Sequence, residues 1–337
     1  MNNLLFYVPE TESAEKPDIL VSLYSLTGHL DELITFALIE LEVTVADGLS
    51  KPSVITVVGS DGVKRKLIFK REDLRSDSLV EQLFSVKKNE EVCLRTYHVV
   101  PLNDSAGIIE WCLDTMSLCE YLCGFNRRSG AREENVDLCK EFEDVCKKIH
   151  PVFRHFFYER FFHPLEWRNR IRNYSISLAQ WSIVGYVVGL GDRHLNNILI
   201  DLKTAQLVHI DLGMVFEFGK RNLPIPERVP FRLTRDTVDP ILVEGINGLF
   251  KNSAVEVMNQ LRNNSQVCIT FALIGLALVL LNDPLCTFGD SKKGNNFSSL
   301  AICRLRDKLD GIENLIFMTT EQQVILSKPF CFYCYFL

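Results

Sequence analysis

The stretch Gly189 to Gly213, GLGDRHLNNILIDLKTAQLVHIDLG, constrains the fold more than any other part of the chain. Asp192 follows the hydrophobic run IVGYVVGLG, and Asp211 ends the run LVHI, so two acids stand where an apolar pattern would exclude them. Charged residues are rarely buried without a partner. ILID and LVHID read as short β runs around the polar turn Lys203-Thr204-Ala205-Gln206, a hairpin that would return Asp211 beside Asn197. Asn197 stands five residues after Asp192, at the start of the first of those strands. Phosphoryl transfer uses such a set. One carboxylate orients or deprotonates the attacking hydroxyl, and an Asp with an Asn holds magnesium against the phosphates. For either Asp alone, capping a turn is the plainer reading; the ordered combination of Asp, His, Asn and Asp-Leu-Gly favours the chemistry.

Working outward, the first forty residues are weakly patterned and read as a residual flank. From Leu41 the runs LEVTV, SVITVV and KRKLIF are β-rich, with the Asp61-Gly62 hairpin signature between the last two. A short helix is expected over Asp77 to Val86, then strands at Val92 to Val99 and Ile108 to Cys112. After Thr115 apolar residues recur at three- and four-residue spacing near 135–147, 151–161 and 175–189, which predicts helices, and helices resume after Val238. The fold class is therefore α+β: a small β-rich lobe (41–112), then a larger helical lobe (113–285), with a tail over 286–337. A ligand cleft is expected between the lobes.

With 47% hydrophobic and 24% charged residues, the 337-residue chain has globular composition. Its net charge of −6 gives no basic footprint for direct nucleic-acid binding. Eleven scattered cysteines, behind an MNNLLFYVPE start with no basic n-region, read as reduced thiols of a cytosolic or nuclear protein. The lone Cys331/Cys334 pair has no second ligand pair at zinc spacing. Val267 to Leu281 carries no charge but is shorter than the roughly 20 apolar residues of a membrane span, so a buried core helix is expected there.

GDRHLNNILI followed by HIDLG resembles the catalytic and metal-binding motifs of the phosphatidylinositol 3-kinase-related protein kinases, in which D-R-H replaces the usual H-R-D order. The resemblance runs from about Val43 to Leu326 through VVGSDG, EDLRSD, RTYHVVPL, GIIEWC, VPFRLTRDTVD and LRDKLDGIE. Asp-Leu-Gly, with FEFGK and LTRD after it, is similar to the ataxia-telangiectasia-mutated branch. The resemblance implies a bilobal protein-kinase-like fold of the PI3/PI4-kinase type and use of ATP with Mg2+ or Mn2+. It implies that Asp192 faces the substrate hydroxyl and that His194 sits near the γ-phosphate, stabilising charge or assisting proton transfer. Asn197 and Asp211 would bind the metal. Ser60 would lie in the phosphate-covering turn. Lys70 would contact the phosphates, paired with Glu72, Asp73 or Asp77. Trp111 would stack on adenine, whose edge the backbone of Glu110 and Cys112 would read.

Lys220, Arg221 and Arg228, offset by Glu217 and Glu227, make a poor clamp for an anionic lipid between Asp211 and Pro230, which favours a protein substrate. By resemblance the substrates are proteins with Ser/Thr-Gln sites, the partners DNA-damage sensor proteins, and the location the nucleus, with cytoplasm also open; no membrane is expected. Three departures stand out. Counted forward from Gly59, Lys70 takes the family's lysine position; counted back from EDLRSD, Phe69 does, because a glycine is missing. The hairpin sets the register, so Lys70 is expected to face the ligand. The region from Phe84 to Val92 is also short. Leu305 to Leu326 resembles the start of the family's C-terminal segment, but SKPFCFYCYFL lacks its aromatic finish. Fragment, splice form and imperfect gene prediction are the corresponding readings. A nucleotide-binding chain of little activity, and a lipid kinase, are the alternative functions.

Overall fold

The computed structural model describes residues 22–23, 34–40, 42–46, 51–85, 94–128, 150–223, 229–241, 244–282 and 291–325. The expected helix over 135–147 and the Cys331/Cys334 pair lie outside these residues. The chain divides into two compact units, residues 1–78 with 97–113, and residues 79–96 with 114–337.

The first unit is built on a seven-stranded sheet. Its strands are β1 (Ser22–Leu23), β2 (Ile34–Ile39), β3 (Thr44–Val45), β4 (Ser53–Gly59), β5 (Lys64–Lys70), β6 (Val99–Pro101) and β7 (Gly107–Glu110). The order is β1-β2-β4-β5-β7-β6, with β3 also on β4. The Asp61-Gly62 turn closes β4 on β5: Gly62 takes φ +74°, a conformation glycine adopts without a Cβ clash, and the Asp61 carboxylate accepts from Val63 N at 3.0 Å. Valine and isoleucine suit a pleated, half-buried surface; Val54, Val57, Leu67 and Ile109 are buried, as is Leu74 at the head of α1 (Arg75–Ser85). Two expectations need correcting. β2 falls inside the supposed flank and pairs with β4 through Leu38↔Val58. Of the strand expected over 92–99, the described residues 94–98 run without ladder pairing and only Val99 belongs to β6.

The second unit carries a three-stranded sheet, β10 (Leu207–His209), β9 (Ile198–Asp201) and β8 (Thr115–Ser117), beside its helices. Those are α2 (Leu118–Arg128), α3 (Arg154–Arg160), α4 (Pro164–Val188), α5 (Gly219–Asn222), α6 (Arg235–Val238), α7 (Leu249–Asn263), α8 (Ser265–Asn282) and α9 (Ser291–Asp310). Helix α4 is the spine: every residue from Ser177 to Val188 is buried. It starts eleven residues before the expected 175, with Pro164 at its first turn, where a missing N–H costs no hydrogen bond. Gly189 ends it at φ +63°, and Leu190 N returns to Gly185 O at 2.8 Å. An aromatic group packs on its first half, with Phe153 and Phe157 each meeting Tyr174 edge-on at 5.6 and 5.4 Å. Helix α8 is not wholly buried as its apolar run suggested: Cys268, Ile269 and Ala272 face the core, whereas Leu273 and Ile274 are about half exposed. Among the described residues no helix is long and apolar enough to cross a membrane.

The segment after Asp211 is anchored at both ends. Near its start, Phe216 N donates to Val188 O at 2.8 Å. At its far end Thr234 caps α6 in a reciprocal box with Thr237. There Tyr174 Oη donates to Thr237 O at 2.7 Å, Val152 N to Asp236 at 2.8 Å and Arg154 N to Asp239 at 2.8 Å.

Candidate active site

The hairpin forms as its turn chemistry dictates. Asp201 Oδ1 accepts from the N–H groups of Lys203 and Thr204, both at 2.7 Å, holding the four-residue turn closed. Asp201 also pairs with Arg95. Register is His209↔Ile198, and Ile210 N donates to Asn197 O at 3.0 Å, so the residue after β10 lands opposite Asn197. Asn197 itself closes a 3-10 turn (Leu195–Asn197) rather than opening the strand. Its side-chain amide donates to Asp192 O at 3.0 Å. With the nitrogen committed, the oxygen Oδ1 is the end of Asn197 left to meet a cation.

Arg193, which the sequence reading assigned no role, is the clasp. Its Nε donates to Gly191 O at 2.8 Å, Nη1 to Ile210 O at 2.8 Å, and Nη2 to Asp211 O. The guanidinium is buried, and its planar fork reaches carbonyls on both sides of the site, which a lysine point charge would not match. Asp192 and Asp211 both hold left-handed backbone, φ +56° and +60°. Non-glycine residues rarely rest there, and such strain gathers at functional sites. Asp192 is half-buried, while His194 and Asp211 are exposed. Contrary to the buried-acid reading, the Asp211 side chain lies within water's reach. Behind the hairpin, Trp181 stacks on His209 at 4.4 Å and donates to Leu207 O at 3.0 Å. Burial, with Arg193 nearby, holds His209 well below the usual imidazole range, so it is neutral.

In the first unit, strand alternation puts Lys66, Ile68 and Lys70 on one face of β5 and Leu67 and Phe69 on the other. Lys66 Nζ lies 5.8 Å from the Trp111 ring centre, and Trp111 N donates to Lys66 O at 3.1 Å, so Trp111 shares the Lys70 face. Lys70 Nζ sits 2.7 Å from Glu72 Oε1, its side chain 15% exposed. The forward count thus places the lysine with the tryptophan, and the acid that arrives early still pairs with it. Ser60 is exposed in the β4–β5 turn. Glu110 N donates to His98 O at 2.8 Å, which leaves its carbonyl, not its N–H, for a ligand.

A second buried group went unread in the sequence. Lys308 of α9 is buried; its Nζ donates to Tyr186 O at 2.7 Å and pairs with Glu217, which also meets Lys220. Burial pushes the Lys308 ammonium down to about 8 despite Glu217. Burial works against the charged form of Glu217, but Lys308 and Lys220 hold it down to about 2. Gln323 Nε2 reaches both Tyr186 Oη and Lys308 O at 3.0 Å, closing the cluster from the 320–325 helical turn.

A family model described as phosphatidylinositol 3- and 4-kinase matches residues 65–283. The chain belongs to the phosphatidylinositol 3- and 4-kinase family. Within it, the chain is 43% identical over 312 residues to the serine/threonine-protein kinase ATM of Caenorhabditis elegans, covering 84% of this chain and 13% of that protein. It is 38% identical over 312 residues to the serine-protein kinase ATM of Sus scrofa, covering 82% and 10%. A solved structure of the FAT and kinase domain of CtTel1 superposes with a TM-score of 0.75 at 31% identity, covering 92% of this chain and 24% of the other. The chain therefore spans about an eighth of the length of its C. elegans relative. The fold of this family member matches the α+β expectation. Among its described residues no group of three or more His, Cys, Asp or Glu side chains gathers as a metal cage. Asn197 and Asp211 offer hard oxygen donors in small number, a set that would suit Mg2+ or Mn2+ shared with a nucleotide's phosphates.

Proposed function

We propose that this chain is the catalytic region of a serine/threonine protein kinase that uses ATP and magnesium to phosphorylate proteins at Ser/Thr-Gln sites in nuclear DNA-damage signalling. The observation that carries the reading is the clasp: Arg193 and the Asn197 amide bind the segments bearing Asp192 and Asp211 into one assembly. In the reaction the substrate hydroxyl oxygen bonds to the γ-phosphorus, the bond from that phosphorus to the bridging oxygen breaks, and ADP leaves. Asp192 orients the hydroxyl and accepts its proton. His194, exposed beside it, meets the γ-phosphate. Asn197 and Asp211 would hold the metal, which would neutralise phosphate charge. Lys70 supplies a point charge to the phosphates, Ser60 covers them, and Trp111 with the Glu110 carbonyl and Cys112 receives adenine.

Protein rather than lipid is favoured because Lys220 is paired with Glu217 and so offers little free charge to a headgroup phosphate. DNA-damage sensor proteins are the corresponding partners. The test is ATP-dependent labelling of a Ser-Gln peptide by the purified chain, with Asp211→Ala as control and phosphatidylinositol in parallel. Peptide labelling lost in the variant supports the reading. Lipid labelling alone replaces it with a lipid kinase, and ATP binding without either product reduces it to a nucleotide-binding chain.

A further inference from the structure

Helix α2 carries two cysteines one turn apart. Cys119 and Cys123 are both half-buried, and their sulfurs lie 3.6 Å apart. The helix buries Leu118, Tyr121 and Leu122 in the core of the second unit, so the i and i+4 thiols occupy its flank and are not core packing. Its first turn is fixed, with Glu120 N donating to Ser117 Oγ at 3.0 Å.

Two thiols this close have two fates, and the helix separates them. A disulfide needs sulfurs about 2.05 Å apart and Cβ atoms about 3.5–4.5 Å apart. Regular helical geometry holds i and i+4 Cβ atoms at about 5–6 Å, so a disulfide would have to distort the turn. A bridging atom needs no distortion. With metal–sulfur bonds of about 2.3 Å, sulfurs 3.6 Å apart subtend an angle of about 103° at the bridging atom, close to tetrahedral. We propose that Cys119 and Cys123 form a dithiol site for a thiophilic centre, a trivalent arsenical or a soft metal ion, on the flank of α2. The pair itself supplies two sulfur ligands. That selects centres already carrying a substituent, of which an organoarsenical is the simplest. The reaction balances without an oxidant: R–As=O and two thiols give R–As(S–Cys)2 and one water, two As–S bonds replacing the As=O bond, with both thiol protons leaving in the water.

The test treats the full chain with one equivalent of phenylarsine oxide in excess monothiol, followed by peptide mapping by mass spectrometry. The expected result is one bridging adduct on the peptide holding Cys119 and Cys123. It should resist monothiol, reverse with a small dithiol, and disappear in both Cys119→Ala and Cys123→Ala, whose helicity by circular dichroism stays unchanged. An adduct confined to other cysteines, such as Cys331 with Cys334, overturns the proposal. So does equal release by monothiol, or formation of a Cys119–Cys123 disulfide under mild diamide with full helicity retained. If one alanine variant fails to fold, the map of the unsubstituted chain still decides between these outcomes.

Discussion

The ammonium of Lys308 and the carboxylate of Glu217 meet in a buried pair 91 residues apart in sequence, one on the last long helix and one just after the Asp-Leu-Gly motif. The pair ties α9 to the start of the segment anchored on Val188. Its partners are already committed, since Nζ also donates to Tyr186 O and Gln323 braces the same tyrosine.

Removing Lys308 leaves Glu217 with Lys220 as its remaining counter-charge, so Lys308→Ala should destabilise the chain by less than the ~3–5 kcal/mol of a fully unpaired buried charge. Lys308→Met combined with Glu217→Gln should recover most of that loss. Urea midpoints of the two single variants and the double variant, read as a thermodynamic cycle, measure the coupling. Additive single effects would show that the pair contributes nothing as a pair.

The same pair sets an acid limb. Glu217 is held at about 2, below the ordinary 4.5 of a free carboxylate. The unfolded chain therefore binds more protons between those values, and this contribution is present above about 4.5 and fades as pH falls toward 2. Thermal unfolding from pH 5.5 to 3 should show a steeper fall in Tm for the native chain than for Glu217→Gln. Parallel slopes would remove Glu217 from the account.

Arg193→Lys keeps the charge and loses the fork across Gly191, Ile210 and Asp211. A turnover loss of at least about tenfold is expected, since small misplacements of reacting groups are amplified in rate. ATP affinity, measured by fluorescence, should change less than kcat. Asp192→Asn should lower kcat by about 10²–10⁴-fold with the KM for ATP unchanged, as for the loss of a proton acceptor.

Two glycines separate backbone strain from crowding. Gly62 at φ +74° has open space where an alanine methyl would stand, whereas a Cβ on Gly189 at φ +63° would lie 2.7 Å from Glu217 N. Gly62→Ala should cost about 1 kcal/mol, the left-handed penalty alone. Gly189→Ala should cost more and also lower activity, because Glu217 must move. Chemical denaturation with a parallel kinase assay distinguishes the two.

The hairpin around Asp201 was legible in the sequence because its information is local: turn residues, alternating apolar runs and an acid at each end. Counting forward from Gly59 gave Lys70 the family's lysine position, since a two-strand register follows from its turn, and in the structure Lys70 shares a face of β5 with Lys66, which meets Trp111. The longer reach of α4 had a readable signal in Pro164. β2 carried only a weak alternation, Ile34, Phe36 and Leu38 against Thr35 and Ala37, and its place is set by pairing with β1 and β4, which no local window contains. The uninterrupted apolar run of α8 carried no period from which to choose a face, so its half-exposed Leu273 and Ile274 could not be foreseen. Arg193 and the Lys308–Glu217 pair depend on tertiary contacts that no window of sequence contains.

The anchoring of the segment between Glu217 and Thr234 has an evolutionary reading. With Glu217 held by Lys308 and Thr234 by its capping box, the chain between them closes a loop of fixed ends. Doubling the length of such a loop costs only about 0.6 kcal/mol. Phe218, Phe231 and Leu233 within it are buried in the core and must keep their character, so drift is open only to the other letters while the scaffold bearing Asp192 and Asp211 stays as it is.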